Sequence, residues 1–325
     1  MKRAFDPAAL TGQVTFVTGP EKNCGKTSFL LAALAAWRQA RAEAGRSWPL
    51  ALLTVGYDGE VRDWLSGQRK PGAPLQVGDY YITVERFLRA GGCCPEIVAL
   101  VPGSGALGRC CIARATRPGL AALVGPEGNA GLGAAIAWLR AELAGCTILV
   151  DGAINRITQL AAVPDARLAY VLRLDRAGLN RAVERLQRLA LLLQLPAAPA
   201  GETALALEAA ADQAGAAIAD QASADPALYS LADALTSESL QRLPAACRRL
   251  VVEDFTKIFL TAAELRAGLA GRQLYSRAAI ECVALVAVTR GVDDDEVARR
   301  LPDPFIQQRL LFNPYRLAEP LTGDR

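Results

Sequence analysis

The residues with the clearest capacity for chemistry lie in one short segment near the start of the chain. The segment Gly19–Thr27 reads Gly-Pro-Glu-Lys-Asn-Cys-Gly-Lys-Thr, follows the apolar run Val14–Thr18 and leads into a helical pattern. Its glycines let the backbone curl so that successive N–H groups point at an anion, and the helix N-terminus adds partial positive charge. Lys26 supplies a mobile cation and the Thr27 hydroxyl can bind Mg²⁺. The segment therefore predicts a phosphate-binding loop of the P-loop type.

The spacing in this loop departs from the usual pattern. Five residues separate the first glycine from Gly-Lys-Thr, where four are usual. A helix N-cap loop that contains Gly-Lys-Thr by chance remains the alternative, although the chain has only five lysines. Lys22 is either a local cation for phosphate or a solvated loop residue. We expect nucleotide contacts from Gly19, Lys22, Asn23, Cys24, Gly25, Lys26, Thr27 and Ser28.

Two acidic positions at strand ends are candidates for holding Mg²⁺ beside this loop. The apolar run Thr147–Val150 ends in an Asp-Gly-Ala triplet that begins at Asp151, and a carboxylate at the end of a buried strand needs a cation or hydrogen-bond donors. Asp58 follows the predicted strand Leu50–Val55, with Glu60 as a weaker candidate. Ordinary turns give Asp-Gly as well, so that alternative stays open for both. We expect catalytic roles for Lys26, Asp58 and Asp151, and metal binding by Thr27, Asp58 and Asp151.

The composition excludes several other chemistries. The chain has no histidine, which excludes Ser-His-Asp and Cys-His nucleophiles, His-ligated metals and an imidazole proton shuttle. Its 36 basic and 33 acidic residues leave a net charge of +3, too small to indicate nucleic-acid binding. Eight cysteines among 325 residues do not indicate a disulfide scaffold. Without a signal-peptide pattern or an apolar run of membrane-spanning length, we expect a cytoplasmic protein that does not enter the membrane.

The elements that must position these residues alternate between short apolar strands and helices, which is typical of a mostly parallel sheet with helices on both faces. The predicted strands are Val14–Thr18, Leu50–Val55, Ile97–Val101, Thr147–Val150, Tyr170–Leu174, Leu250–Val252 and Ala284–Val288, and the predicted helices are Thr27–Ala44, Ala134–Leu143 and Leu179–Leu195. The Pro-, Ala- and Gly-containing run at 196–201 predicts a linker, and the Ala-rich stretch from 203 to 234 a plain helix.

The sequence thus predicts an α/β P-loop fold in three parts. Residues 1–195 form a nucleotide-binding domain, residues 196–246 a linker with an Ala-rich helical segment, and residues 247–325 a C-terminal α/β segment that could continue the same sheet.

Two further glycine-rich segments have the spacing of binding motifs. Gly103–Gly108 matches a dinucleotide fingerprint, but Arg109–Ala113 predicts another strand and no helix N-terminus, so we predict a flexible loop. Gly125–Gly131 follows an apolar run at Leu120–Val124, which we interpret as a strand, and opens a helix. A second anion site and a simple strand–helix connection both remain open there.

The cysteines suggest packing more than metal binding. Adjacent pairs stand at 93–94 and 110–111, whereas metal ligands are usually separated by two residues. Because neighbours on a strand point to opposite faces, we interpret the pairs as buried apolar residues, and their role stays open. Cys24 differs, since an exposed thiol in the positive field of the loop would have a lowered pKa and oxidise readily.

Several segments together resemble known P-loop proteins. The five-residue gap is shared with dethiobiotin synthetase and its relatives, in the wider group that includes MinD-like ATPases and metallocentre GTPases, although Lys22 does not match the signature lysine of MinD-like proteins. Val55–Glu60, Gly125–Asn129, Leu149–Arg156 and Asp254–Leu260 resemble more narrowly the ATPases associated with reactivating adenosylcobalamin-dependent lysine and ornithine aminomutases. This resemblance spans much of residues 12–260.

The resemblance implies one of two functions. The first is Mg²⁺-dependent ATP hydrolysis coupled to a conformational change in a protein partner or homodimer, such as reactivation of a cobalamin-dependent aminomutase. The second is an ATP-dependent ligase, like dethiobiotin synthetase or cobyrinate-amidating enzymes, acting on a small carboxylate. Those ligases carry Glu-Gly-Ala-Gly-Gly where this chain has Asp-Gly-Ala-Ile-Asn from Asp151, which favours the first. GTP stays possible, although Arg173–Asp175 is the nearest approach to a guanine signature.

Overall fold

The computed structural model describes residues 4–46, 48–55, 72–89, 92–105, 107–152, 159–160, 163, 165–207, 228–243, 247–267 and 271–314. The chain divides into two compact units. The first comprises Met1–Leu174, Cys282–Gly291 and Arg309–Arg325, and the second comprises Asp175–Glu281 and Val292–Gln308. The opening segment of the first unit ends at Leu174, whereas the sequence placed the domain boundary after residue 195.

The described residues form fifteen strands and seven α-helices. The strands are β1 (Val14–Thr18), β2 (Leu50–Thr54), β3 (Ala73–Leu75), β4 (Tyr80–Val84), β5 (Pro95–Gly105), β6 (Gly108–Ala115), β7 (Gly119–Ala121), β8 (Thr147–Asp151), β9 (Arg167–Asp175), β10 (Leu205–Leu207), β11 (Leu228–Leu231), β12 (Arg249–Val252), β13 (Gln273–Ser276), β14 (Glu281–Arg290) and β15 (Leu310–Phe312). The helices are α1 (Lys26–Glu43), α2 (Asn129–Glu142), α3 (Leu179–Leu193), α4 (Ser237–Arg242), α5 (Ala262–Arg266), α6 (Asp294–Arg300) and α7 (Pro304–Gln307).

The largest sheet has nine strands in the order β15-β14-β9-β1-β8-β2-β4-β6-β5. β1 lies between β8 and β9 and runs parallel to both, and β2 runs parallel to β8 and β4. The pairs β4–β6 and β5–β6 are antiparallel. The predicted α/β class with a mostly parallel sheet is therefore confirmed, and the antiparallel edge is the exception to it.

The antiparallel edge arises where a flexible loop was expected. β5 extends to Gly105, which pairs with Gly108 at the start of β6, so the chain reverses in a tight hairpin. Such a reversal places consecutive strands side by side in opposite directions. The flexible-loop prediction for Gly103–Gly108 is therefore wrong for the described residues, because Ser104 and Gly105 pair with Arg109 and Gly108 in the sheet.

The helix that follows β1 is held against the sheet by one apolar stripe. Phe29, Ala33 and Trp37 recur at the four-residue spacing of a helix face and are all buried. They share a core cluster with residues of the sheet such as Val17 and Leu149. Burial of large apolar side chains contributes about 1.5–3 kcal/mol each, so this stripe fixes the position of α1 beneath the loop that precedes it.

A buried ion pair fixes α1 nearer its other end. Arg38 of α1 pairs with Asp79, whose carboxylate also accepts a 2.7 Å hydrogen bond from the Gln76 N–H. Burial raises the pKa of Asp79, and the hydrogen bond from Gln76 and the charge of Arg38 oppose that shift. Removing one partner of such a pair is costly because it leaves a buried charge uncompensated. The pair thus ties α1 to the segment between β3 and β4.

The second unit contains a four-stranded parallel sheet in the order β10-β11-β12-β13. Residues 208–227 of the Ala-rich stretch lie outside the described residues, but its flanks form β10 and β11. The prediction of a plain helix is wrong at both flanks, because β10 and β11 pair with each other as parallel strands. Tyr229 and Leu231 of β11 are buried, and this tertiary burial outweighs the helix propensity of the surrounding alanines. The predicted strand at Leu250–Val252 is confirmed within β12.

The predicted linker at 196–201 is partly held in this unit. The Ser276 N–H donates to the Pro196 carbonyl at 3.0 Å, and the Ala198 N–H donates to the Ser276 carbonyl at 3.0 Å. These bonds attach the segment beside β13.

Among the described residues, no helix combines the length and apolar character needed to cross a bilayer.

Candidate functional site

The loop that follows β1 begins at a position where only glycine fits. A Cβ on Gly19 would lie 2.2 Å from the Val171 carbonyl oxygen and 2.8 Å from the Cys24 sulfur. The first contact is with backbone of β9 and could be relieved only by moving a buried strand. The loop therefore leaves the sheet through a tight gap between its own later residues and the neighbouring strand.

The middle of the loop is turned by two residues in the left-handed region. Asn23 has φ 56° and Gly25 has φ 102°, conformations that asparagine and glycine tolerate best. Cys24 lies between them, is 1% exposed, and donates from its thiol to the Val171 carbonyl at 3.3 Å. A turn of this kind can form a concave run of backbone N–H groups that suits an anion. The loop is thus shaped by backbone conformation and anchored by a buried thiol.

This burial changes the interpretation of Cys24. The hypothesis of a reactive thiol required it to be exposed, and the side chain instead faces the core cluster beneath the loop. A buried thiol that is hydrogen-bonded to a carbonyl packs as a small apolar residue. The prediction that Cys24 is a nucleotide contact remains a prediction, limited to its backbone.

The lysine of the loop lies over the loop itself. The Lys26 ammonium donates to the Glu21 carbonyl at 2.6 Å and lies 3.7 Å from the Cys24 sulfur. Lys26 is half-buried, whereas Lys22 and Asn23 are exposed at the outer side of the turn. The cationic group therefore lies against the backbone of the loop, where it donates to a neutral carbonyl oxygen.

The helix after the loop presents an uncapped positive end. α1 has 18 residues, starts at Lys26, and has neither a side-chain cap at Gly25 nor an acidic residue in its first turn. Its first N–H groups are thus not satisfied by a capping side chain, and the helix dipole adds partial positive charge there. Thr27 and Ser28 are exposed in this first turn. Backbone, dipole and Lys26 all favour an anion at the same place.

Asp151 lies beside this helix start because of strand register. β8 is the neighbour of β1, and Asp151 pairs with Val17 of β1 on one side and with Thr54 of β2 on the other. The Thr27 hydroxyl donates to an Asp151 carboxylate oxygen at 3.2 Å. The Thr54 hydroxyl donates to the Asp151 carbonyl at 3.1 Å, which fixes the end of the strand. Two residues 124 positions apart in the chain thus meet at the carboxyl end of the sheet.

The glycine after Asp151 has a packing reason. A Cβ on Gly152 would lie 2.9 Å from the Val17 carbonyl oxygen, to which the Gly152 N–H donates at 2.8 Å. A side chain here would push β8 away from β1 and carry Asp151 away from Thr27. Glycine at position 152 therefore lets β8 stay close enough to β1 for the Asp151 carboxylate to reach Thr27.

The other predicted carboxylates have no described position. Asp58 and Glu60 lie outside the described residues, so their roles at the metal remain predictions. The predicted strand before them is confirmed as β2, and the in-register Thr54–Asp151 pair places its carboxyl end at the same edge as Asp151.

Sequence reasoning missed two threonines at this edge. Thr54 and Thr83 occupy equivalent levels of the neighbouring strands β2 and β4, since Leu52 pairs with Tyr81 two residues earlier. Thr83 is completely buried, and its hydroxyl has no hydrogen-bond partner among the described residues. The sequence pattern that could have identified them is a threonine near the carboxyl end of a mostly apolar strand. In-register neighbours point to the same face, so Asp151, Thr54 and Thr83 form one polar row.

The second glycine loop, Gly125–Gly128, lacks such a set of side chains. A Cβ on Gly125 would lie 1.7 Å from the Thr54 carbonyl oxygen, so this glycine too is required by close backbone approach. The loop opens α2, which has no side-chain cap. The predicted strand before it is only partly correct, because β7 ends at Ala121. Its charged residue is Glu127, whose carboxylate lies beside Gly105.

The cysteine pairs lie mainly in the core. Cys93 is 1%, Cys110 5% and Cys111 0% exposed, whereas Cys94 is exposed, with φ 44°. Burial raises the pKa of Cys111 to about 11, which disfavours a thiolate ligand. The interpretation as buried apolar residues is wrong for Cys94, because its left-handed backbone turns it out of the core. In the described ranges, no group of three or more Cys, Asp or Glu side chains is arranged to hold a metal ion.

Comparison of the chain with protein-family models, with curated proteins and with solved structures found no match.

Proposed function

We propose that this chain binds a nucleoside triphosphate together with Mg²⁺ at the segment Gly19–Thr27 and hydrolyses it. The observation that carries the proposal is the 3.2 Å contact between the Thr27 hydroxyl and the Asp151 carboxylate at the start of an uncapped helix. Few structural roles require a hydroxyl, a carboxylate and a lysine to meet at one helix N-terminus. A triphosphate with its metal uses all three.

The oxygen ligands at this place fit Mg²⁺. Thr27 and Asp151 offer a hydroxyl and a carboxylate, hard donors of the kind that Mg²⁺ binds through one or two carboxylates and substrate phosphates. Bound there, the ion would neutralise charge on the phosphate oxygens. Asp58 is proposed as an additional ligand from the segment after β2.

The loop itself would hold the phosphates. The Glu21 carbonyl that Lys26 contacts is a neutral acceptor, and a charged phosphate oxygen makes a stronger hydrogen bond with an ammonium group. The concave run of N–H groups around Cys24 and the first turn of α1 would bind further phosphate oxygens. None of these contacts requires an imidazole, which agrees with a chain that has no histidine.

The process that ATP hydrolysis would drive is proposed from the sequence resemblance to aminomutase-reactivating ATPases. We propose that ATP hydrolysis drives a conformational change in a partner enzyme, with reactivation of a cobalamin-dependent aminomutase as the form that the resemblance implies. The ligase alternative is supported by the five-residue gap in the loop, but the chain lacks the paired glycines of those ligases after Ala153. ATP is preferred over GTP in this proposal.

A melting experiment tests nucleotide binding. The full chain is melted with ATP or GTP, with and without Mg²⁺, and a nucleotide at a hundred times its Kd should stabilise it by about 2.7 kcal/mol. Lys26→Ala should lose this gain while its melting temperature without nucleotide stays unchanged. Lys257→Ala, which removes a lysine from the second unit, is the matched control and should keep the gain. A full gain in Lys26→Ala would contradict the proposal.

A second experiment distinguishes an ATPase that acts on a partner enzyme from a ligase that acts on a small carboxylate. Phosphate release is measured with a purified cobalamin-dependent aminomutase and, separately, with diaminopelargonic acid or other diamino-acid substrates. Release stimulated by the aminomutase supports the partner function, whereas release that depends on the small substrate supports the ligase.

A further inference from the structure

The second unit contains a cavity of about 280 Å³, partly open to solvent, that the proposed nucleotide site does not use. It lies where α5 and α7 pack against α3. Its lining combines polar, charged and apolar side chains: Gln187, Leu191, Arg266, Leu301, Pro302 and Asp303. Ligand pockets for drug-sized molecules span about 300–1,000 Å³, so a cavity of this size suits a smaller metabolite.

The walls of the cavity are held by hydrogen bonds to backbone. Arg188 of α3 donates to the Leu260 carbonyl at 2.6 Å and to the Ile258 carbonyl at 2.5 Å, which fixes the segment leading into α5. On the other side, Gln307 donates to the Leu301 carbonyl at 2.7 Å. A cavity between elements tied in this way keeps its shape, so a ligand would not have to order it.

A guanidinium group is oriented at the cavity. Arg266 donates through one terminal nitrogen to the Gln187 side-chain oxygen at 2.8 Å, and the Gln187 amide donates to the Arg300 carbonyl at 3.2 Å. Arginine has five N–H donors, and this bond uses one of them. The remaining donors suit the two oxygens of a carboxylate.

A carboxylate lies on the same cavity. One oxygen of Asp303 caps α7 by accepting from the Phe305 N–H at 2.7 Å, and the other lies 3.5 Å from the Gln194 side-chain nitrogen. An ionised carboxylate has about four acceptor positions, so these contacts leave capacity for a cation. Leu191 and the exposed Pro302 supply apolar surface beside it.

We propose that this cavity binds a small zwitterion, an α-amino acid with an aliphatic side chain. Its carboxylate would bind Arg266, its ammonium group Asp303, and its side chain would pack on Leu191 and Pro302. A simple anion would be repelled by Asp303 and a simple cation by Arg266, whereas a zwitterion satisfies both charges. The proposal does not depend on nucleotide binding, because every lining residue belongs to the second unit.

Calorimetric titration of the full chain tests the proposal. The twenty common amino acids are screened, and those with aliphatic side chains should bind most tightly. For leucine, the analogues that lack either the amino group (4-methylpentanoate) or the carboxylate (isoamylamine) should bind at least tenfold more weakly. Equal binding of either analogue, or no binding by any amino acid, would overturn the proposal.

Two variants and one control locate the site. Arg266→Gln and Asp303→Asn should each weaken leucine binding at least tenfold, and asparagine keeps the helix cap that Asp303 provides. Arg181→Gln removes the same charge from α3 at a residue that does not line the cavity, and it should leave affinity unchanged. Unchanged binding in both lining variants, with melting temperatures like that of the wild type, would also overturn the proposal.

Discussion

Two loops of the first unit share an opening glycine and an uncapped helix, and they differ in turn conformation and in side chains. Gly19–Gly25 leads from β1 into α1, and Gly125–Gly128 leads into α2. Each begins with a glycine that packs closely against a neighbouring strand: an added Cβ would lie 2.2 Å from the Val171 oxygen at Gly19 and 1.7 Å from the Thr54 oxygen at Gly125. Each opens a helix without a side-chain cap. By glycine content and helix dipole alone, either loop could bind an anion.

The first loop is turned by the left-handed residues Asn23 and Gly25, and a further difference lies in the charges that converge on each helix start. The first loop places Lys26 over its backbone and Thr27 against Asp151. The second carries Glu127 and has no lysine, so it would bring negative charge towards an approaching anion. Glycines therefore explain how a loop packs, and the converging cation explains what it binds.

The largest effect is expected from replacing the glycines that pack the loops. Gly19→Ala and Gly125→Ala should each lower the free energy of unfolding by about 1–3 kcal/mol, because their Cβ atoms would overlap neighbouring backbone. Gly133→Ala in α2 meets open space and should raise it by about 0.5–1 kcal/mol. Urea denaturation measures all three. Unchanged stability in Gly19→Ala would contradict the close approach to β9.

Removing the charge of Asp151 should weaken Mg²⁺ binding at the first loop and leave nucleotide binding without Mg²⁺ nearly unchanged. Asp151→Asn keeps an oxygen that can accept from Thr27 but loses the negative charge, so Mg²⁺ affinity in the presence of ATP should fall at least about tenfold. Titration of Mg²⁺ at fixed ATP concentration measures this. Nucleotide binding without Mg²⁺ should change little, and an equal loss with and without Mg²⁺ would assign Asp151 a purely structural role.

Thiol labelling tests whether the first loop is as packed as its contacts indicate. Among the cysteines, Cys94 is exposed and Cys24 is buried against β9, so a maleimide should modify Cys94 first. Mass spectrometry of peptides after brief labelling gives the order. Rapid labelling of Cys24 that bound ATP suppresses would contradict the buried position and restore the exposed-thiol hypothesis.

The smallest effect is expected at the second loop. Glu127→Gln removes its negative charge and should leave the affinity for Mg²⁺ and ATP within about twofold of the wild type, because the phosphates bind elsewhere. A clear rise in affinity would indicate that the second loop takes part. Fluorescence titration with a labelled ATP analogue measures either outcome.

Local sequence patterns predicted most of the elements around the site. β1 has the predicted bounds, α1 begins one residue before the predicted start, and the strand ending at Asp151 was recognised from a run with three apolar residues directly before an acid. These element bounds agree because buried parallel strands read as continuous apolar runs and because an amphipathic stripe with a preceding glycine marks a helix start.

Features that depend on distant partners could not be predicted in this way. The buried position of Cys24 depends on its contact with the Val171 carbonyl, and the position of Thr83 beside Thr54 depends on the register between β4 and β2. The strand β11 was taken for helix, because alanine-rich surroundings hide a strand whose burial comes from its neighbours. Register and tertiary contacts decide these cases, and neither is written in local composition.

The most direct test of the central claim is calorimetric titration of the wild type and of Lys26→Ala with ATP in the presence of Mg²⁺. A phosphate site at Gly19–Thr27 predicts one site in the wild type and at least tenfold weaker binding in the variant, with melting without nucleotide unchanged. Equal affinity in the two proteins would contradict the assignment of this loop as the phosphate site.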